Sequence, residues 1–140
     1  MSFSYWPILR AKGEAREAAI ETYKQDLTGI DVFLSRVGEG SGPFLLGDRF
    51  SIAECNAAPF VQRACTILPS FTGRGEMGNG EGKSVDLLEL CDELNLVRLK
   101  MWIEAVLARP SVVHTGVSRE DMVKSTTQML KRFASTELKK

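Results

Sequence analysis

Between Glu14 and Val37 the apolar residues Ile20, Tyr23, Leu27, Ile30, Leu34 and Val37 recur at alternating steps of three and four, with Glu, Lys, Gln and Arg between them. At about 3.6 residues per turn, such steps put every apolar side chain on one face, so the stretch reads as a long amphipathic helix. Ala19 and Phe33 widen the stripe beyond a coiled-coil seam, which implies packing against more than one neighbouring helix. The run GEGSG closes it at Gly38. Apart from short β-branched patches, no stretch alternates with period two over a strand's length, so the sequence predicts an all-α domain. A chain of 140 residues, 44% of them hydrophobic, is long enough for one sizeable core and too short to expect two. The expected organisation is a single domain over residues 1–140, without internal repeats.

The next helix start is specified by two devices at once. Ser51 is placed to cap it, and Glu54, three residues on, is placed to bond back to the Ser51 backbone N–H, forming a capping box. Phe50 and Cys55 occupy the two positions of a hydrophobic staple, which predicts that Cys55 is packed and buried. Pro59 lies inside the helix that follows and removes one hydrogen bond, yet Phe60, Val61, Ala64, Cys65 and Leu68 continue an apolar face; a bent, largely buried helix ending near Pro69 is expected. Residues 70–84, SFTGRGEMGNGEGKS, hold five glycines and read as a mobile surface loop. A helical region then resumes near Val85, breaks near Asn95, turns Leu96, Leu99, Trp102, Ile103, Val106 and Leu107 inward, and ends at Arg109-Pro110. A second capping box, Ser118 to Asp121, opens a final helix with Met122, Thr126, Met129, Leu130 and Phe133 on one face.

Charge and cysteine content narrow the chemistry. Eighteen basic residues balance eighteen acidic ones, and the one short basic run is the terminal Lys139-Lys140, so nothing points to nucleic acid or an anionic membrane surface. No apolar run approaches the ~18 residues that cross a bilayer, and a signal-peptide core is missing from the amino-terminal stretch. Three cysteines without a Cys-x-x-Cys pair suit reduced thiols, hence an expected cytoplasmic setting. One histidine and scattered cysteines make no metal-ligand set. GNGEGKS resembles a phosphate-cradling loop but fails on spacing, because the glycine required five residues before Gly82 is Met77. Cys55, in a first helical turn, lies where a helix dipole favours a thiolate, but its staple position and the lack of a nearby histidine argue for a structural residue. His114, the single histidine, has no partner in sequence and reads as structural or surface. Trp102 and Arg63 suit either packing or a binding pocket, since an indole N–H wants an acceptor and an arginine on a mostly apolar helix wants an anion. Phe3, Tyr5 and Trp6 form an aromatic cluster expected to be exposed unless another chain covers it.

Taken in order, the long helix, FLLGDRFSIAECNAAPFVQR, the glycine-rich loop, LKMWIEAVLARPSV and a final capped helix resemble the carboxy-terminal helical domain of cytosolic glutathione transferases over nearly the whole chain. The stretch at Ser51 looks like that family's capping box, usually Ser-x-x-Asp and here Ser-x-x-Glu. The tryptophan-bearing KMWIEAVLARPSV looks most like omega-type and related fungal or plant members. The resemblance implies a helical bundle that walls a hydrophobic-substrate pocket in a detoxifying enzyme, with Trp102 and Arg63 at pocket positions and Tyr5 and Trp6 flanking the cleft and a dimer contact. It also implies that glutathione, the cosubstrate, and the catalytic residue belong to a thioredoxin-like half whose strand pattern this chain lacks; none of Cys55, Cys65 or Cys91 falls on the catalytic position. The expected role is a substrate-pocket domain that catalyses nothing alone, partnered by a thioredoxin-like domain or a second copy and holding a hydrophobic small molecule. A protein-docking module and a hydrophobic ligand carrier are the alternatives.

Overall fold

The computed structural model describes residues 3–38, 42–75, 77–78 and 82–137. Within them the chain forms seven helices: α1 (Trp6–Arg10), α2 (Gly13–Val37), α3 (Ile52–Phe71), α4 (Leu87–Glu93), α5 (Val97–Ala108), α6 (Pro110–Thr115) and α7 (Arg119–Glu137). Among the described residues there is no strand, only two isolated bridges in the tight turn between α2 and α3. The all-α reading holds, and no helix among the described residues is long and apolar enough to cross a membrane.

Four of the periodic residues of α2, Ile20, Tyr23, Leu27 and Leu34, are buried as their spacing demands and Ile30 is partly so, but Val37, and Phe33 beside the stripe, are exposed, which corrects the stripe at its carboxy-terminal end. Gly38 closes the helix with a backbone in the ordinary negative-φ region (φ −59°), not the left-handed conformation that usually puts glycine there. Its small size has another use, because a Cβ at this position would lie 2.5 Å from the Leu34 carbonyl oxygen and 3.2 Å from the Arg98 guanidinium. Of the rest of the GEGSG run, residues 39–41 lie outside the described residues and Gly42 is buried.

Helix α3 runs through the centre, burying Ala58, Val61, Ala64, Ile67 and Leu68 against α5, α4 and α7. It continues past Pro69 to Phe71, two residues beyond the expected end, since a proline near a helix end removes one backbone bond and leaves the neighbouring packing in place. The following segment is tied at both ends. Thr72 is buried, donates to the Leu68 carbonyl (2.6 Å) and accepts from the Val85 N–H (2.7 Å), so what reads as a mobile loop begins and ends in the core. Residue 76 and residues 79–81 of the GNGEGKS run lie outside the described residues.

The helical region expected from Val85 starts at Leu87, where Asp86 accepts from the Leu88 and Glu89 N–H groups. It breaks at Asn95, whose φ of 54° interrupts the helical path. The Leu99 N–H near the start of α5 is satisfied from another element: Asp31 of α2 accepts it at 2.8 Å. Arg109-Pro110 ends α5 as expected but also begins α6, because a proline in the first helical position loses no hydrogen bond that the helix would make. Ser118 accepts from the Asp121 N–H (3.1 Å) at the start of α7. Of the face expected on α7, Met122 and Thr126 are buried while Met129 and Phe133 remain partly exposed.

Candidate functional site

The capped start of α3 is also the most polar point of the core. Glu54 is fully buried, and each carboxylate oxygen takes two bonds: Oε1 accepts from the Leu45 N–H (2.8 Å) and the Trp102 indole Nε1–H (3.0 Å), and Oε2 from the Ser51 N–H (2.8 Å) and hydroxyl (2.6 Å). The Ala53 N–H completes the box by donating to the Ser51 hydroxyl oxygen. Burial by itself would raise the acid's pKa, but the Ser51, Leu45 and Trp102 donors together outweigh it and hold the carboxyl down at about 2. Glu54 is therefore an ionised anchor joining the α2–α3 turn, α3 and α5.

Two adjoining clefts open beside this anchor. The first, of about 430 Å³, is bordered by Tyr5, Trp6, Asn56, Phe60 and Arg63. The second, of about 280 Å³, is bordered by Ile30, Phe33, Leu45, Glu54 and Trp102. Phe3, Ala53 and Ala57 line both. The structure thus brings Tyr5, Trp6 and Arg63 to one cleft and sets Trp102 in the neighbouring one, buried and with its N–H committed to Glu54. Arg63 is exposed and has no carboxylate partner among the described residues. Burial raises the Tyr5 hydroxyl pKa, and the positive charge of Arg63, which borders the same cleft, partly offsets the rise.

The aromatic start is not left exposed, because its own chain covers it. Phe3 stacks on Trp102 (centroids 6.1 Å apart, planes 9° apart), Tyr5 is buried against Trp6, and Trp6 meets the edge of Phe133 in α7. Arg10 also sits over the Phe133 ring, 4.7 Å from its centroid. No sequence spacing joins residues 3–6 to Phe133; the contact requires α7 to fold back across α3.

The cysteines divide differently from expectation. Cys55 is exposed, which corrects its placement as a buried staple residue. It lies on the outer side of α3 with Ile52, Asn56 and Pro59, and Phe50 packs instead against Phe44 (5.3 Å, edge-on) and beneath Arg109 (4.1 Å). Cys55 and Phe50 both border a third cleft of about 380 Å³ that also contains Gln62 and Met122. Cys65 and Cys91 are the packed thiols: burial, reinforced by Asp86 for Cys65 and by Asp31 for Cys91, pushes each up to about 12, so neither is a thiolate at neutral pH. His114 lies exposed in the last turn of α6. Among the described residues no group of three or more His, Cys, Asp or Glu side chains could hold a metal ion.

Sequence reasoning finds Ser51 and Glu54 but misses two of the donors that make Glu54 important. Trp102 is 48 positions away, and the Leu45 N–H comes from an irregular turn. Arg98, which braces that turn by donating to the Pro43 and Phe44 carbonyls, gives no sequence signal either.

A family model described as "Glutathione S-transferase, C-terminal domain" matches residues 13–105, well over half of the chain. No curated protein and no solved structure matches the chain.

Proposed function

Because the chain belongs to the family of glutathione S-transferase C-terminal domains, we propose that it is the substrate-pocket domain of a glutathione transferase-like protein. In this reading it binds an apolar small molecule and leaves activation of the glutathione thiol to a thioredoxin-like half. The observation that carries the reading is the aromatic cleft of Tyr5, Trp6, Phe60 and Arg63, set against the stretch that bears the family resemblance. Its volume of about 430 Å³ falls within the range of small-molecule sites, and its walls are mainly apolar with a few polar groups.

The chemical division of labour follows from the thiols. A transferase needs a thiolate on glutathione or on the protein, held by donors or positive charge. Cys65 and Cys91 are held protonated by burial, and exposed Cys55 shares its cleft with Arg63 but with no histidine to take the thiol proton. The side chains of this chain serve instead to bind and orient: the aromatic walls exclude water from an apolar substrate, and Arg63 offers a positive charge at the rim. An omega-like affiliation agrees with the tryptophan of α5, and a cytoplasmic setting agrees with three free thiols.

The test is a pair of measurements on the chain as it stands. It should show no glutathione transfer or thiol reduction above background, and it should bind an uncharged apolar dye with quenching of tryptophan emission. Turnover that survives repeated purification overturns the non-catalytic reading; absence of dye binding overturns the pocket.

A docking role is favoured by a different observation. Ile52 and Phe60 are 75% and 59% exposed on one face of α3, more apolar surface than a solvated helix ordinarily shows. A stable dimer or captured partner at physiological salt, with no change in melting temperature on adding apolar ligands, selects docking over the substrate pocket.

A further inference from the structure

Away from the clefts described above, and sharing no lining residue with them, a trough of about 700 Å³ lies between α7 and Met77 of the glycine-rich segment. Its α7 side is one face of the helix, since Arg119, Val123, Thr127 and Lys131 follow one another in steps of four. Val123 and Thr127 are half-buried and form the floor, while Lys124 and Lys131 stand exposed along it. Met77, 43% exposed, is the opposite wall.

Both walls are held by the same buried residue, Ser70 at the end of α3. Its carbonyl oxygen accepts from the Met77 N–H (2.8 Å), and its hydroxyl accepts from the Arg119 guanidinium (3.1 Å) while donating to the Thr66 carbonyl (2.7 Å). The segment that carries Met77 is folded tightly on itself: a Cβ at Gly75 would strike the Pro69 carbonyl oxygen, and one at Gly78 the Gly73 carbonyl oxygen. Glycine is required there by close approach of the backbone. The trough is therefore built in advance, with little left to order when something enters it.

Its charge is one-sided on a chain whose net charge is zero. Arg119, Lys124 and Lys131 border it against a single carboxylate, Glu120, and neither lysine has a carboxylate partner among the described residues. Twelve helical positions from Arg119 to Lys131 span about 18 Å, the length of five or six residues of extended chain. Such a length is too great for a compact small molecule and suits a peptide. Glu120 inside the trough opposes a continuous phosphate surface, whereas a peptide can set a neutral donor there, and Met77 and Val123 give an apolar side chain a place between the charges.

We propose that this trough docks an acidic peptide segment of a partner protein, laid along α7 with its carboxylates towards Arg119, Lys124 and Lys131 and an apolar side chain against Met77 and Val123. The site is independent of the aromatic cleft, so either can fail without the other.

The probe is a fluorescein-labelled peptide of glutamates with two central leucines, titrated with the full chain and followed by anisotropy, beside the same peptide with glutamine for glutamate. The glutamate peptide should bind, weaken as salt is raised, and bind at least about tenfold more tightly than its glutamine version. Lys124→Gln and Lys131→Gln should each weaken it by about threefold and together by about tenfold, the range of partly solvated ion pairs. The double variant Lys12→Gln/Arg36→Gln makes the same charge change at exposed positions outside the trough and should stay within about twofold. Met77→Ala should weaken binding by about threefold. Circular dichroism of each variant should match the parent, which confines the losses to the trough. Absence of binding by the parent chain at low salt, equal binding of the glutamine peptide, equal losses in the two lysine and arginine double variants, or no loss in Met77→Ala overturns the proposal. Tighter binding of phosphatidylserine vesicles or duplex DNA than of the peptide at the same salt overturns it too, by making the trough a membrane or nucleic-acid surface.

Discussion

Replacing Glu54 by Gln keeps the shape of the side chain and removes its charge, which isolates the electrostatic part of the anchor. Each carboxylate oxygen now serves two donors. The least costly arrangement of the amide keeps its carbonyl towards Leu45 and Trp102 and turns its NH₂ towards Ser51. The Ser51 hydroxyl can rotate to accept from that NH₂, but the Ser51 N–H then faces another donor without an acceptor. One buried donor left unsatisfied costs about 1–3 kcal/mol, and the bonds to Leu45 and Trp102 lose their charged character, so Glu54→Gln should cost roughly 2–4 kcal/mol near neutral pH. Glu54→Ala strands all four donors and should cost about as much as breaking a buried ion pair, ~3–5 kcal/mol, a large share of a domain's stability.

The pH dependence supplies the decisive sign. The folded carboxyl is held at about 2, below its ordinary 4.5. Its stabilisation is therefore fully present above pH 4.5 and is lost as the pH falls towards 2. Glutamine has no such titration, so the gap between parent and Glu54→Gln should be constant above pH 4.5 and narrow steadily below it. The assay is urea unfolding at a series of pH values, followed by tryptophan emission and by circular dichroism, with the slope against urea checked for constancy. Parallel stability curves for the two proteins between pH 5 and 3, or a loss under about 1 kcal/mol near neutral pH, would refute the view that an ionised Glu54 ties the turn to α5.

Two further outcomes follow from the same geometry. Ser51→Ala removes the hydroxyl that accepts from the Ala53 N–H and donates to Glu54; it should lower stability by about 0.5–2 kcal/mol and leave dye affinity nearly unchanged, so a selective loss of binding would count against a purely structural cap. An aromatic disulfide reagent on the native chain should modify exposed Cys55 quickly and reach buried Cys91 and half-buried Cys65 only on unfolding, an order read by mass spectrometry of the labelled peptides; early labelling of Cys91 would contradict its place in the core.

How far the fold can be read in advance depends on how local its causes are. The α2 stripe as far as Leu34, the Ser51–Glu54 box and the break at Asn95 have local causes, and each appears where the sequence puts it. Helices α1 and α6 are too short for periodicity to register, and each carries a proline that reads equally as a terminator or as a first helical residue. Cys55 shows the limit of a local motif: the staple spacing is present, but Phe50 finds Phe44 and Arg109 instead. Thr72 shows the opposite case, a glycine-rich stretch that looks free until a bond across thirteen positions ties its ends together.

By itself the sequence determined the class of fold, the family and the polar residues at the start of α3, because periodicity and capping act over one or two turns and need no neighbours. Only the tertiary structure decided what those residues are for. Trp102 becomes the partner of Glu54 because α5 crosses α3, and Phe3 becomes a wall common to two clefts because the amino-terminal stretch lies over that crossing. Burial joins groups 48 positions apart and there makes a carboxylate an anchor, and such a contact is fixed by how helices pack rather than by any spacing along the chain.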